Sequence, residues 1–358
     1  MPAPEQGEPL LPGPVLAGPF HLQGALDSAP YRYGRDGNPT WSAVEAAFSD
    51  LEGGAEAVLF SSGMAAVTAV IEPALHARDV FVVVRDGYPG VRRIATERLA
   101  ARGVDVRLVP TDTEEIVAAC HGGVTLMWVE TPSNPALDVC DIAAVAAAVH
   151  AVGGTLVVDN TLCTPLGQRP LELGADVVVY SASKALSGHS DLVLGCVTTR
   201  DPDWAGRLRA HRSLTGSIAG PFESWLLHRS LSTLGLRLQC QSANALALAR
   251  MLREHPAVLD VRHPLLEDHP QHAIAARQML LGGPLVGFTL AGADRAQRFL
   301  AACRLVSEAT SFGGVHASAE RRARWGTDNV PDGFIRFSVG IEDEADLLAD
   351  VAQALDKG

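Results

Sequence analysis

The sequence predicts an α/β protein in which a mostly parallel sheet is followed by a second, smaller domain. From Trp41 onward, short runs of β-branched residues alternate with alanine-rich segments of helical pattern, which is typical of a parallel sheet covered by helices. Beyond about Phe222 the chain becomes mostly helical and then mixed, which indicates a separate unit. The predicted division is an arm at 1–40, an α/β domain at 41–222 and a C-terminal domain at 223–358.

The first 40 residues are rich in proline and glycine and show no sustained periodicity, so we expect an extended arm. No basic residue precedes Arg32, and Glu5 and Glu8 lie near the start, so the arm lacks the positive region of a secretory signal. The most apolar stretch, Ile142–Asp159, is interrupted by His150 and is too short to span a bilayer.

The composition restricts the partners and the compartment. Of the 358 residues, 47% are hydrophobic and 20% are charged, and the formal net charge is -12. This charge argues against a nucleic-acid or anionic-membrane partner, because both require a basic surface. The six cysteines are scattered without a CxxC pair, so we expect reduced core residues of a cytoplasmic protein.

The elements follow from local patterns in chain order. Six β-branched runs predict strands: AVLF, VFVVV, VRLV, TLMWVE, TLVVDN and DVVVY. Helices are predicted between them, for example at PGVRRIATERLAARG and IAAVAAAVHAVG, and the alternation ends after LVLGCVTT, near the helical WAGRLRAHRS. In the C-terminal domain, residues 223–252 are predicted to be helical, and LVGFTL and FIRFSVG are predicted strands.

Polar groups follow five of these strands. The segments after them are SSGMAA, RDGY, ETPSNP, DNT and SASK. Open parallel sheets bind ligands at the carboxyl ends of their strands. We therefore expect a phosphate loop, an aromatic residue, two carboxylates and a lysine to converge at one edge, and this convergence is more specific than any one of them.

Lys184 is one of only two lysines among the 29 basic residues, and it lies in a loop of small residues after an apolar strand. Arginine serves equally well in salt bridges and for solubility, but it cannot lose its proton and attack a carbonyl carbon. A surface lysine is the commoner explanation for any single lysine. The setting of Lys184 instead favours an amine that forms Schiff bases.

The other strand ends have a functional and a plainly structural interpretation. The Ser-Ser-Gly at 61–63 can bind phosphate at a helix N-terminus or simply cap that helix. Asp159 can hold a protonated pyridine nitrogen or cap a turn, and Tyr88 can stack on a planar ring or be an ordinary half-buried tyrosine. The sequence has no GxGxxG after the first strand and no GxxxxGK[ST], which disfavours dinucleotide and ATP-type sites.

The motifs YRYGRDGNPTW, FSSGMAA, VETPSNPALDVCDI, VVDNT, SASKALSGHSD, SFGGV and GFIRFSVGIED extend from about Tyr31 to the C-terminus. With them the sequence resembles the Cys/Met-metabolism group of fold type I pyridoxal 5'-phosphate (PLP) enzymes. This group includes cystathionine γ-synthase, cystathionine γ- and β-lyases and methionine γ-lyase. The resemblance implies an aspartate-aminotransferase-like fold and PLP as the cofactor.

The resemblance also implies a role for each matching residue. Lys184 would bind the cofactor covalently and act in catalysis together with Tyr88. Asp159 would pair with the pyridine nitrogen, and Tyr88 would stack over the ring. The remaining implied cofactor contacts are Gly63, Met64, Ser181 and Ser183.

Two further sets of residues follow from the resemblance. Ser311 and Arg336 would hold the α-carboxylate of an amino-acid substrate, and Asn134 and Thr310 would contact the same substrate. In the arm, the implied contacts with the cofactor of a neighbouring subunit are made by Tyr33 and Arg35. The protein is therefore expected to be a homo-oligomer, a dimer with shared sites and, by the same likeness, a tetramer.

The sequence departs from the group where the distal end of the substrate would lie. Thr310 stands where cystathionine-handling relatives often have glutamate, and the segment VHASAERRARWG after SFGG is short and basic. The expected activity is γ-elimination from a sulfur amino acid, as in cystathionine γ-lyase. Alternatives are γ-substitution on an O-acylated homoserine, methionine γ-lyase activity and β-lyase activity.

Two alternatives from other classes are disfavoured. A non-catalytic cofactor-binding protein would not need intact Lys184, Asp159 and Arg336, and a nicotinamide oxidoreductase would need the missing glycine fingerprint. The segment EHPAVLDVRHPLLEDHPQH contains four histidines, namely His255, His263, His269 and His272. Their spacing fits no metal-ligand pattern and three of them precede proline, so we expect a surface loop and no metal site.

Overall fold

The computed structural model describes residues 6–7, 9–25 and 28–357. Parts of the predicted arm, including Glu5 and Glu8, lie outside the described residues. Among the residues described, no helix is long and apolar enough to cross a membrane.

A seven-stranded sheet forms the centre of the α/β region, with strand order β1-β7-β6-β5-β4-β2-β3. Its strands are β1 (Glu56–Phe60), β2 (Val80–Val84), β3 (Asp105–Val109), β4 (Leu126–Glu130), β5 (Thr155–Asp159), β6 (Val177–Ser181) and β7 (Gly195–Thr199). β7 pairs antiparallel with both β1 and β6, and the other pairs are parallel. The six predicted strands and the mostly parallel sheet are confirmed.

Helices lie between these strands and continue into the C-terminal region. They are α1 (Pro39–Leu51), α2 (Gly63–Ala74), α3 (Pro89–Arg93), α4 (Thr113–Ala118), α5 (Ile142–Ala151), α6 (Thr164–Gly167), α7 (Pro202–Thr215), α8 (Pro221–Leu231), α9 (Leu234–Glu254), α10 (His272–Gln278), α11 (Ala293–Ala302) and α12 (Glu344–Lys357). α3 continues as a π-helical turn at Ile94–Leu99 and a 3-10 turn at Ala100–Arg102. The predicted helical stretch at 223–252 is therefore two helices, α8 and α9.

A five-stranded sheet with order β10-β11-β12-β9-β8 follows in the C-terminal region. Its strands are β8 (Asp260–Arg262), β9 (Leu285–Thr289), β10 (Ser307–Glu308), β11 (Ser318–Arg321) and β12 (Phe334–Ser338). The predicted strands β9 and β12 are central and fully buried. The sequence did not predict β8, β10 and β11, which are short and largely polar. The two sheets lie on either side of the predicted boundary at residue 222, and that boundary stays a prediction.

Side chains alternate between the two faces of the larger sheet along each strand. An apolar cluster covers each face. Val158 and Tyr180 belong to one apolar cluster, whereas Trp128, Val157 and Val179 belong to the cluster that contains α2. Two residues beyond these last three, Glu130, Asp159 and Ser181 end their strands on the same face. The strand period therefore directs two carboxylates and a serine toward the N-terminus of α2.

The described part of the arm follows the surface of its own chain. Asn38 caps α1 by accepting the Thr40 N–H, and its amide donates to the Val15 carbonyl at 2.8 Å. The Trp225 indole donates to the Pro12 carbonyl at 2.9 Å. These contacts attach the segment around residues 12–15 to α1 and α8.

The histidine-rich segment is not a surface loop throughout, and that prediction is wrong for two of its members. His263 and His269 are buried, and each Nδ1 accepts the N–H two residues further on, at 3.2 Å. The His-Pro steps thus form local turns that pack inward beside β8. Burial lowers the pKa of His263 to about 3 and that of His269 to about 4.

Candidate active site

A cavity of about 380 Å³ opens at the carboxyl ends of the parallel strands. Its walls come from strand ends β4, β5 and β6, the start of α2, the lysine loop and the segment before β11. It is lined by Ser62, Gly63, Met64, Val67, Tyr88, Glu130, Asn134, Asp159, Thr161, Val179, Ser181, Ser183, Lys184, Val193, Thr310, Ser311, Phe312, Arg322 and Arg336. The expected convergence of strand ends is therefore present in the structure.

Lys184 presents its amine to this cavity from the loop after β6. Its Nζ donates to the Ser311 Oγ at 2.6 Å. Burial, together with repulsion from Arg336, lowers the pKa of Lys184 below its ordinary value. Both effects disfavour the ammonium and favour the neutral amine, which is the nucleophilic form.

The loop that carries the lysine is held by α9. The Arg237 guanidinium is buried and donates to the carbonyls of Ala185 and Leu186, at 2.7 and 3.2 Å, and to that of Ser230 at 2.9 Å. Gly188 adopts a left-handed φ of +68°, and a Cβ at this position would lie 1.9 Å from Arg237 Nη1. Only glycine allows the loop to pass this close to the guanidinium.

Two carboxylates that line the cavity lie on neighbouring strands, because Glu130 and Asp159 are register partners in β4 and β5. Asp159 accepts the Thr161 N–H at 3.0 Å, and Glu130 accepts the Tyr88 N–H at 2.5 Å. Burial raises the pKa of both, and for Glu130 the charge of Asp159 raises it further, to well above the ordinary value. Of the two carboxyl groups, Glu130 is therefore the one whose protonated form the environment favours more strongly.

The start of α2 forms another wall. Ser62 caps the helix by accepting the Ala65 N–H at 3.0 Å, and the N–H groups of Gly63 and Met64 have no partner within the helix, as in any first turn. Gly63 lies against Ser181, where an added Cβ would be 3.0 Å from the serine side chain. The Ser183 hydroxyl lines the cavity but is bonded to the backbone of Leu194.

Arg336 lies within β12 and is buried. Its guanidinium donates to the Asn134 Oδ1 and to the Ser311 carbonyl, both at 2.9 Å, and to the Glu320 Oε1 at 2.6 Å. Burial lowers the pKa of Arg336 to about 10, so it stays protonated at neutral pH. Ser311 has a φ of +78°, which is uncommon for a residue with a side chain and is found at functional sites.

The structure brings together all the predicted residues of this chain's cavity and leaves the two arm residues outside it. Tyr88 and Tyr33 are about half exposed, but only Tyr88 lines the cavity. Arg35 lies over the Tyr33 ring, 5.7 Å from its centroid, and donates to the Ser213 carbonyl at 3.4 Å. Tyr33 and Arg35 thus do not reach the cavity of their own chain.

Sequence reasoning assigned no role to three charged residues, Glu130, Glu320 and Arg322. Glu130 ends its strand as Asp159 does, so the strand-end pattern signalled a carboxylate without giving it a role. Glu320 and Arg322 lie in and after the short strand β11, within the segment already noted as unusually basic. Only the three-dimensional structure shows Arg322 at the cavity and Glu320 behind it, with its Oε1 3.2 Å from the Thr310 hydroxyl.

Comparison with known proteins gives a consistent result. The family described as Cys/Met metabolism PLP-dependent enzyme matches residues 20–356. A Streptomyces coelicolor protein, provisionally assigned as a cystathionine γ-lyase, is 50% identical over 361 residues, which cover 100% of this chain and 91% of that protein. The cystathionine γ-lyase of Bacillus subtilis is 40% identical over 340 residues, with 91% and 89% covered.

Solved structures of enzymes with related names are also similar to this chain. A methionine γ-lyase from Micromonospora echinospora has a TM-score of 0.93 at 37% identity, covering 99% of this chain and 96% of that chain. A cystathionine γ-synthase from Xanthomonas oryzae, in complex with cystathionine, has a TM-score of 0.93 at 35% identity, with 97% and 93% covered. The predicted fold type I is therefore confirmed.

The cavity residues fit PLP. Lys184 supplies an amine of lowered pKa, Asp159 a carboxylate beside the cavity, and the start of α2 a pair of free N–H groups suited to a phosphate. Gly63 itself packs closely on Ser181, since an added Cβ would lie 3.0 Å from the serine side chain. The chain belongs to the Cys/Met metabolism family of PLP-dependent enzymes.

Proposed function

We propose that the protein cleaves a sulfur amino acid by γ-elimination, as a cystathionine γ-lyase does, and releases a 2-oxo acid, ammonia and a thiol. One observation carries this proposal. The Lys184 amine lies 2.6 Å from the Ser311 Oγ, and Arg336 donates to the carbonyl of that same serine. Ser311 thus contacts both Lys184, whose amine can take a proton, and Arg336, a cation that can hold a carboxylate.

The cofactor contacts are part of the proposal. Lys184 would bind PLP covalently, Asp159 would pair with the ring nitrogen, and Tyr88 would stack on the ring. The N–H groups of Gly63 and Met64, with the hydroxyls of Ser181 and Ser183, would hold the phosphate. When bound, PLP supplies an electron sink that makes the Cα proton of an amino acid removable.

The substrate contacts follow from Arg336. Arg336 is a cation that lines the cavity together with Ser311 and Asn134, and a guanidinium forms charge-assisted hydrogen bonds with a carboxylate. Lys184, once displaced by the substrate amine, would remove the Cα proton, because burial and the nearby Arg336 lower its pKa and so favour the neutral amine that acts as a base. Departure of the γ-sulfur also requires loss of a Cβ proton. An amine holds only one extra proton, so Lys184 can take the Cβ proton only after it has passed the first one on, and the departing sulfur takes up one of the two protons and leaves as the thiol.

We also propose that the active enzyme is a dimer with shared sites, and by likeness a tetramer. Tyr33 and Arg35 are at the surface and do not line their own cavity, which supports a role at a neighbouring subunit's cofactor. A cytoplasmic location is proposed on the six cysteines, all of which are described and unpaired. Cell fractionation would test that location.

γ-Substitution on an O-acylated homoserine is the second candidate, since relatives of comparable similarity are named cystathionine γ-synthase. The two reactions would use the same cavity residues. They would differ in whether water or a thiol reaches the unsaturated product of γ-elimination.

A product screen of the purified holoenzyme tests the proposal. Cystathionine, methionine, cysteine, homocysteine and O-acylated homoserine are each incubated with enzyme, with and without an added thiol. γ-Elimination of cystathionine yields 2-oxobutanoate and cysteine, whereas β-elimination yields pyruvate and homocysteine. The proposal predicts 2-oxobutanoate from cystathionine without added thiol. Formation of pyruvate alone, or of cystathionine alone from O-acylated homoserine and cysteine, would overturn it.

A further inference from the structure

The carboxylates and the arginines that line the cavity lie on different walls. The lining carboxylates, Glu130 and Asp159, both end strands of the larger sheet, whereas Arg322 and Arg336 belong to the C-terminal sheet and the turn that follows β11. The proposed function uses Asp159 and Arg336. It gives no role to Arg322, although this guanidinium lines the cavity next to Thr310.

Hydrogen bonds to two buried carboxylates hold the Arg322 guanidinium in place. Its Nε and Nη2 donate to the Asp328 Oδ2, at 2.9 and 2.5 Å, and its Nη1 donates to the Glu320 Oε1 at 2.7 Å. The side chains of all three residues are buried. Because a guanidinium has five N–H donors, these three contacts fix its position and leave donors for a ligand.

The Glu320 carboxylate, beside Arg322, already accepts hydrogen bonds from side chains of the protein. Glu320 accepts hydrogen bonds from five donors, which belong to Thr310, Arg322, Arg324, Trp325 and Arg336. Burial alone would raise the pKa of Glu320, but the Trp325 hydrogen bond and the charges of Arg336 and Arg322 hold it below its ordinary value. Glu320 is thus an ionised carboxylate whose charge is balanced by neighbouring arginines. It is not available to pair with a ligand.

A ligand group that reaches this wall therefore meets a guanidinium and a neutral hydroxyl. An ammonium would gain no free carboxylate there, and it would be repelled by Arg322. A carboxylate would gain a charge-assisted hydrogen bond from a donor that is already ordered, so little side-chain entropy is lost on binding.

We propose that Arg322 forms a subsite for a second, distal carboxylate on the amino-acid substrate. The subsite rests on the proposed function in one respect, namely that Arg336 holds the α-carboxylate. Glu320 and Asp328 act as positioning residues for Arg322. The preferred substrates are then amino acids whose side chain ends in a carboxylate. Those that end in a methyl group or an acetyl ester bind less tightly.

Binding of matched amino acids tests this subsite without requiring turnover. L-2-aminoadipate and L-norleucine have six carbons each, and L-2-aminosuberate and L-2-aminooctanoate have eight; within each pair only the distal carboxylate differs. None of the four carries a γ-leaving group. Dissociation constants on the PLP-loaded enzyme are measured by calorimetry. We expect the carboxylate member of at least one pair to bind about tenfold more tightly or better, the scale of one desolvated charge contact.

Two substitutions locate the effect. Arg322→Gln should abolish the carboxylate preference, and Arg322→Lys, which keeps the charge but loses the forked geometry, should retain part of it. Arg324→Gln is the matched control, since it removes the same charge and another Glu320 contact from a residue that does not line the cavity. It should keep the preference.

Two results would overturn the subsite. One is equal affinity within both pairs for the wild-type enzyme, which requires no variant to fold. The other is an undiminished preference in Arg322→Gln. Failure of γ-elimination in the product screen leaves this binding result standing, so the two proposals can fail separately.

Discussion

The buried side chain of Glu130 affects two neighbouring residues, Tyr88 and Asp159. It accepts the backbone N–H of Tyr88, and it lies beside Asp159 in the register of β4 and β5. A protonated Glu130 would leave the full negative charge on Asp159, which is the form that pairs with a ring nitrogen. Gly87 is packed against it, since a Cβ there would lie 3.1 Å from Glu130 Oε2.

Glu130→Ala should lower kcat/KM for the best substrate by about tenfold, because the Tyr88 N–H loses its acceptor. Glu130→Gln keeps an acceptor oxygen and should recover most of that loss. Steady-state kinetics of the two variants, with cofactor content measured in parallel, check the prediction. Equal losses in both variants would mean that the carboxyl proton or charge matters and that the Tyr88 contact does not.

His263 should make the fold sensitive to mild acid. Its pKa falls to about 3 in the folded state, chiefly through burial and then through repulsion from His269 and Arg250, so the folded protein binds this proton far less readily than the unfolded chain does. Its contribution to stability is complete above about pH 6.5 and is lost progressively toward pH 3, at up to about 1.4 kcal/mol per pH unit.

Thermal unfolding between pH 7.5 and pH 5 measures this effect. The decline in Tm should be smaller in His263→Asn than in the wild type, whereas exposed His121, changed in the same way, should leave the decline unaltered. An identical pH dependence of Tm in wild type and His263→Asn would rule out His263 as its source.

At the scale of elements, the lysine loop depends on a helix from the other half of the chain. Arg237 of α9 donates to two loop carbonyls, and Gly313, just before β11, packs so closely that a Cβ there would lie 2.5 Å from the Ala185 N atom. The position of the Lys184 amine is therefore set by C-terminal elements as well as by β6. Disturbing the contact with α9 should affect catalysis and stability together.

Gly188→Ala should lower stability by about 1–3 kcal/mol through strain and the displaced guanidinium, and it should lower kcat as the lysine loop shifts. Gly216 provides a matched control, since it also has a φ of +68° but has nothing within 4 Å of an added Cβ. Gly216→Ala should carry only the cost of its backbone conformation. Chemical denaturation and kinetics of both variants compare the two, and equal effects would contradict the packing argument.

Element prediction succeeded where burial gives a long, uniform signal. β2 and β6 are read from their β-branched runs, because a strand buried on both faces is continuously apolar. β10 and β11 are two and four residues long and carry Glu308, Glu320 and Arg321, so no local pattern marks them. Their pairing is decided by distant partners such as β12.

At the scale of the whole molecule, the predicted site residues lie in local sequence patterns, whereas the missed ones are brought to the site by pairing between distant parts of the chain. Lys184 and Asp159 lie in short motifs that follow buried strands, so local sequence was sufficient to select them. Glu320 and Arg322 acquire meaning only when β11 pairs with β12 and brings them to Arg336. That contact joins residues 16 apart, and no spacing rule predicted it.

The arm gives the prediction that belongs to the assembly. If Tyr33 and Arg35 complete a neighbouring site, then Arg35→Ala and Lys184→Ala chains, each inactive alone, should regain part of the wild-type activity after subunit exchange. A mixed dimer has one site with both an intact Lys184 and an intact Arg35. Activity assays before and after mixing measure the recovery.

The matched control is a mixture of Lys184→Ala with Asp159→Ala, in which every site carries a defect and no recovery is expected. Exchange itself is followed by native mass spectrometry of a tagged chain. An absence of recovery despite observed exchange would show that Arg35 acts within its own chain or not at all.

Lys184 is the residue on which the whole account depends, and its replacement by alanine gives the most direct test. Wild-type enzyme and Lys184→Ala are loaded with PLP and dialysed. Their visible absorption, cofactor content and turnover of cystathionine are then compared. We expect a yellow wild-type protein and a variant that loses the covalently bound cofactor, with turnover reduced by roughly a thousandfold or more, since nucleophile and base are removed together. A Lys184→Ala protein that kept both its visible absorption after dialysis and its full turnover would contradict the account.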